Sequence, residues 1–116
     1  MRGALSYNEH KVRQEKAELI LASRFGADIN QLGFSQKLRR FTELNQNSTK
    51  VKNNTVHISL NFSPEEKLDS ELMGKIAVDY MKRISFANQP FLVYRHTDTT
   101  HPHIHIVSSP IRTTGR

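Results

Sequence analysis

The 116-residue sequence predicts a single α+β domain over residues 1–116, an antiparallel sheet with helices packed on one face. Three observations carry that prediction. Residues 55–62 alternate Val56, Ile58, Leu60 and Phe62 with His57, Ser59 and Asn61, the period of a half-buried strand. Residues 101–108 alternate His101, His103 and His105 with Pro102, Ile104 and Ile106, so one strand face is apolar and the other carries imidazoles. Between them, Leu68, Leu72, Met73, Ile76, Ala77, Tyr80, Met81 and Ile84 recur at helical spacing. The whole chain then reads short β, α, α, β, α, β, β, and helices layered on a sheet satisfy both periods.

Taken in order, residues 4–7 read as a brief strand or an extended lead-in. Asn8 caps a helix over 9–25 that Gly26 stops, with Val12, Leu19, Ile20, Ala22 and Ser23 as its stripe and Glu15, Lys16 and Glu18 exposed. Residues 26–33 form a turn. A second helix over 34–45 starts near Ser35 and places Phe34, Leu38, Phe41 and Leu44 on one side. Its Lys37, Arg39 and Arg40 read as a solvated basic face. The polar run over 45–54 is a loop. After the first alternating strand, Ser63-Pro64-Glu65-Glu66 has the form of a helix start, with Ser at the N-cap, Pro at N1 and acids in the first turn. That helix extends to about residue 86, and its Met and aromatic positions are core candidates. Residues 91–95 form a near-continuous apolar run, as expected of a central strand covered on much of both faces. A turn over 97–100 leads to the antiparallel neighbour at 101–108, and 108–116 is a loop or tail.

Composition bounds the function. A hydrophobic content of 36% in 116 residues supports one small domain or a piece of one. The net charge of +6 favours an anionic partner, of which nucleic acid is the commonest. With no cysteine, a disulfide framework and a thiolate metal site are both excluded. No apolar run approaches the roughly 20 residues that span a bilayer, and the N-terminus lacks a signal-peptide core, so a cytoplasmic protein without membrane contact is expected.

The chemistry concentrates in residues 94–107, which hold four of the six histidines: His96, His101, His103 and His105. The last three share a strand face, and His96, one short connection earlier, can fold back beside them. That places several neutral nitrogen donors round one divalent cation, with Asp98 close enough to orient one of the rings. His57 alone reads as a half-exposed surface residue. Beside the second histidine-bearing strand it becomes a candidate at the edge of the site, as does His101. His10 reads as a helix-surface residue.

His103-Ile104-His105 is similar to the histidine–hydrophobic–histidine signature of the HUH endonucleases. The wider pattern of His96, Asp98, Pro102, His103 and His105 resembles the third motif of plasmid and transposon mobilisation relaxases, and the YNEHKV and HISLNFSPEE stretches resemble that family's nucleophile motif and second strand. The resemblance implies His96, His103 and His105 as ligands of a divalent metal ion, Mg or Mn. It further implies Tyr7 as catalytic tyrosine and Asp98 as the orienter of an imidazole. The implied reaction is site-specific nicking of single-stranded DNA at an origin of transfer, alongside other mobilisation proteins. A tyrosine hydroxyl can form a covalent phosphoester, but it ionises only near a pH of about 10 in water, so a cation must polarise the phosphate. The products would be a 5′-phosphotyrosyl link and a free 3′-hydroxyl. Family members often carry an asparagine after the histidine strand, where this chain has Ser108 and Ser109. They also run well beyond 116 residues, so an N-terminal portion of a longer relaxase is expected.

Three other functions compete. The run His101-Pro-His103-Ile-His105 also fits the histidine-triad nucleotide hydrolases, where His103 would be the nucleophile and no metal is needed. Against that reading, Pro102 occupies a hydrophobic position, HTDTT replaces a glycine-rich lead-in, and His96 and Asp98 have no role. A transposase or replication initiator of the HUH superfamily would share the chemistry and differ in its DNA. A basic DNA-binding protein without activity would leave the shared face of the histidines unexplained.

Overall fold

The computed structural model describes residues 2–26, 28–45, 55–63, 65–66, 68–86, 88–98 and 101–110. In chain order these form α1 (Arg2–Arg13), β1 (Ala17–Ser23), a 3-10 turn (Ile29–Gln31), α2 (Phe34–Asn45), β2 (Val56–Asn61), α3 (Ser70–Arg83), β3 (Phe91–His96) and β4 (His103–Ser108). The strands make one four-stranded sheet in the order β1-β3-β4-β2, antiparallel at every pairing. The chain adopts the α+β class its periodicities predict. Among the described residues no helix is long and apolar enough to cross a membrane. The expected loop over 46–54, Pro64, Thr99, Thr100 and the tail beyond 110 lie outside the described residues.

The pleat sorts side chains to two faces. On one, Phe91 and Val93 of β3 and Ile104 and Ile106 of β4 pack against Met73, Ala77 and Met81 of α3. On the other, Leu92, Tyr94 and Val107 meet Leu5 of α1 and Phe41 of α2. Each fully buried side chain of this kind contributes about 1.5–3 kcal/mol. The helices therefore cover both faces instead of one. The reason is the central position of β3, whose residues are buried on both sides, as its unbroken apolar run foretold.

The first 25 residues differ most from expectation. Residues 4–7 are helical, and the helix predicted over 9–25 ends at Arg13, giving way to a strand from Ala17. Two bonds close α1: Lys16 N–H donates to Lys11 O at 2.9 Å and Glu15 N–H to Val12 O at 3.0 Å. This is a Schellman stop with Glu15 in the left-handed region at φ 60°, a place that usually signals itself with glycine. Strand β1 hides its period as well. Its register against β3 shifts between Leu19 and Leu21, a bulge that turns Ile20 and Leu21 toward the α3 core while Leu19 and Ala22 face the other. Apolar residues spaced that way read as a helix.

Helix α3 starts later than Ser63. That serine closes a single turn, accepting from Glu66 N–H at its carbonyl at 3.0 Å. The operative cap is Asp69, whose Oδ1 accepts from Leu72 N–H at 2.8 Å, one turn before the buried stripe at Met73, Ala77 and Met81. The far end is a second glycine-free Schellman stop. There Phe86 N–H donates to Met81 O at 2.7 Å across Ser85 at φ 65°.

A left-handed non-glycine residue carries about 1–2 kcal/mol of steric cost, partly offset on substitution by the looser unfolded chain of a glycine. Glu15→Gly is therefore expected to raise stability by about 0.5–1 kcal/mol, read as a higher urea midpoint. An unchanged or lower midpoint would show that the turn after α1 carries no such strain.

Candidate metal centre

The central hairpin builds the site. In the β3–β4 register His96 lies directly opposite His103, and Tyr94 opposite His105. Opposed residues in an antiparallel pair share a face and stand close at Cβ. The rings consequently meet, with centroids 4.0 Å apart for His96 and His105, 5.1 Å for His96 and His103, and 5.2 Å for His103 and His105. One ring nitrogen from each of the three lies within 4.8 Å of the others. His96 is 2% exposed, and His103 and His105 are half-buried.

Burial and crowding act on two of the rings, His96 and His105. Burial, reinforced by the adjacent His103, lowers His96 to about 4. Burial, then repulsion from His96 and His57, lowers His105 to about 3. Both are neutral at physiological pH, with lone pairs to give. Neutral imidazoles on a half-buried face suit a divalent cation, so the residues fit the ion that the histidine pattern implies.

Helix α1 supplies the other wall. Leu5, Asn8 and Glu9 are its buried positions, with Val12 half-buried one turn on. Beside that stripe, Tyr7, Asn8 and Lys11 are set along the flank that meets the histidines. The Tyr7 ring is nearly parallel to His96 at 6.2 Å and 16°, and to His105 at 6.1 Å and 13°. Tyr7 is 49% exposed, open to a large partner. Asn8 is fully buried, its Oδ1 2.7 Å from His96 Nε2. Lys11 Nζ stands 5.7 Å from the Tyr7 ring centre and donates to Asp98 Oδ2 at 2.6 Å. That bond holds the Asp98 carboxyl below its ordinary range and raises the Lys11 amine.

A buried cluster seats the helix. Glu9 Oε2 accepts from Lys37 Nζ at 2.9 Å and from Tyr94 Oη at 2.6 Å, tying α1 to α2 and β3 at one atom. Burial, with the Glu9 carboxylate next, pushes the Tyr94 hydroxyl well above its usual range, so it stays a donor.

The structure brings Tyr7, His96, His103, His105 and His57 together. His57, on edge strand β2, places Nε2 at 2.9 Å from His105 Nδ1, and burial lowers its pKa. His101 brings its backbone carbonyl, which accepts from His103 Nδ1 at 3.1 Å. Asp98 takes a different partner from the one expected. Its carboxylate pairs with Lys11, and the side chain that accepts from an imidazole is Asn8, through Oδ1. Sequence reasoning assigned Asn8 to a helix cap. The signal that reveals it is a polar pair, Asn8-Glu9, falling on the buried period of Leu5 and Val12.

A sequence model of one family, described as relaxase, MobA/VirD2-like, nuclease domain, matches residues 7–116. No curated protein and no solved structure matches the chain.

Lys37→Met leaves Glu9 as a buried carboxylate without its cation and is expected to cost about 3–5 kcal/mol, while adding Glu9→Gln recovers part of the loss; urea unfolding measures both. Acid should also weaken the metal-free fold. Above the unfolded histidine value of 6.5 both states are neutral at His96 and His105. As pH falls below it the unfolded chain takes up protons that the folded chain refuses until about 4 and about 3, so stability drops across that window. In EDTA the urea midpoint should fall between pH 7 and pH 4, and less steeply for His105→Gln. A flat profile would mean the rings are not held neutral.

Proposed function

Because this chain belongs to the relaxase family of MobA/VirD2-like nuclease domains, whose members nick DNA for mobilisation, we propose that it cuts one DNA strand by tyrosine transesterification. The observation that carries the proposal is the meeting of three imidazoles with an exposed phenol on one face of the sheet. The substrate is a single strand at an origin-of-transfer site, and other mobilisation proteins are the expected partners.

Each residue has a task in this scheme. Tyr7 Oη attacks the scissile phosphorus. An Oη–P bond forms as the P–O3′ bond breaks; Oη gives up its proton and the 3′-oxygen takes one up, leaving a 5′-phosphotyrosyl link and a free 3′-hydroxyl. Attack by that 3′-hydroxyl reverses the step. His96, His103 and His105 are the residues that hold a divalent cation, Mg or Mn; when bound it polarises the phosphate and offsets developing charge. Lys11 sets a second positive charge beside Tyr7, held there by Asp98, where a phosphate oxygen would lie. His57 and His101, which border the site from β2 and from the lead-in to β4, would touch the strand. The net charge of +6 favours the polyanion throughout.

Incubation with Mn²⁺ and single-stranded origin oligonucleotides is expected to give a covalent adduct on a denaturing gel, and Tyr7→Phe to abolish it without changing Mn²⁺ affinity. His103→Ala should weaken Mn²⁺ binding at least about tenfold by calorimetry. An adduct that survives Tyr7→Phe would move the nucleophile elsewhere.

A further inference from the structure

Asn8 has no local reason to sit where it does. An asparagine inside a helix is less favourable than alanine by roughly half a kcal/mol, and this one is fully buried in the middle of α1. Its side chain is spent in a definite orientation. Nδ2 donates to Ala4 O at 2.9 Å, which turns the amide nitrogen toward the helix and the oxygen toward the sheet. Oδ1 then meets His96 Nε2 at 2.7 Å.

The proton on that contact follows from the chemistry of the partners. An amide oxygen only accepts, so His96 Nε2 must carry the hydrogen. A neutral imidazole with its proton on Nε2 has its lone pair on Nδ1. Turning the amide round would point its NH₂ at Nε2 and give up the bond to Ala4 O. The amide nitrogen also lies 3.5 Å from His57 Nε2.

We propose that Asn8 is a positioning residue that fixes His96 as the Nε2–H tautomer, so that Nδ1 is the nitrogen it offers as a ligand. The consequence for metal affinity rests on the metal-holding role proposed for the histidines; the tautomer itself does not. The neighbour of the nucleophile thus orders the ring beneath it, and one helical residue links the phenol's position to the ligand set.

The test uses the full chain with its metal removed by EDTA. Long-range ¹H–¹⁵N spectra, in which the two imidazole nitrogens separate according to which is protonated, should show His96 protonated at Nε2 at pH 7. Asn8→Ala should shift that residue to a mixture or to Nδ1–H. Asn8→Asp, which still accepts, should keep the proton on Nε2. Mn²⁺ affinity by calorimetry should fall about 10–100-fold in Asn8→Ala and be largely rescued in Asn8→Asp. A wild-type His96 protonated at Nδ1 overturns the proposal without any variant, as does an Asn8→Ala spectrum identical to wild type. Wild-type protein that binds no Mn²⁺ would instead sink the metal-holding role, while the spectrum still decides the role of Asn8.

Discussion

The pairing of β3 with β4 is the constraint on which the rest of the molecule depends. Side chains alternate with a period of two, so a slip of one residue would carry His103 and His105 to the face that α3 covers. What forbids the slip lies on the other side of the sheet. Ile104 and Ile106 are fully buried against Val93 and the methionines of α3, and a one-residue slip would pull both out of that core as it moved the imidazoles. The histidine cluster is held in place by apolar packing that it never touches.

Helix α1 answers a second need, to bring a phenol and an amide over those rings. Apolar contact alone would leave the helix free to slide along the sheet. The Glu9 carboxylate, reached by Lys37 from α2 and Tyr94 from β3, pins it through bonds of defined direction. A buried charge is costly unless its partners are all present, and here they are. Leu5 supplies the area, and Glu9 supplies the alignment.

Strong local patterns were readable and compensated ones were not. The alternation in 55–62 and the apolar run at 91–95 each gave a true strand, and the Phe34, Leu38 and Phe41 spacing gave α2, because burial there follows one period. At the N-terminus the patterns cancel. Two of the three buried positions described in α1 are polar, its stop uses Glu15 where glycine is usual, and the bulge in β1 imitates a helical stripe. Ser63 misled for another reason: two capping signals lie within seven residues, and only packing chooses Asp69. The clustering of the histidines was visible as spacing. The contacts of Asn8 and Lys11 join residues more than eighty positions apart, and nothing local announces them.

The strand order has a dynamic consequence. Among the described residues β3 and β4 are interior, while β1 and β2 lie at the two margins of the sheet. Amide exchange opens peripheral strands before central ones. His57 is therefore mounted on a margin that breathes, whereas the three rings it borders sit on backbone that opens only when the sheet itself comes apart. A polynucleotide arriving along β2 would find one yielding rim beside an unyielding floor.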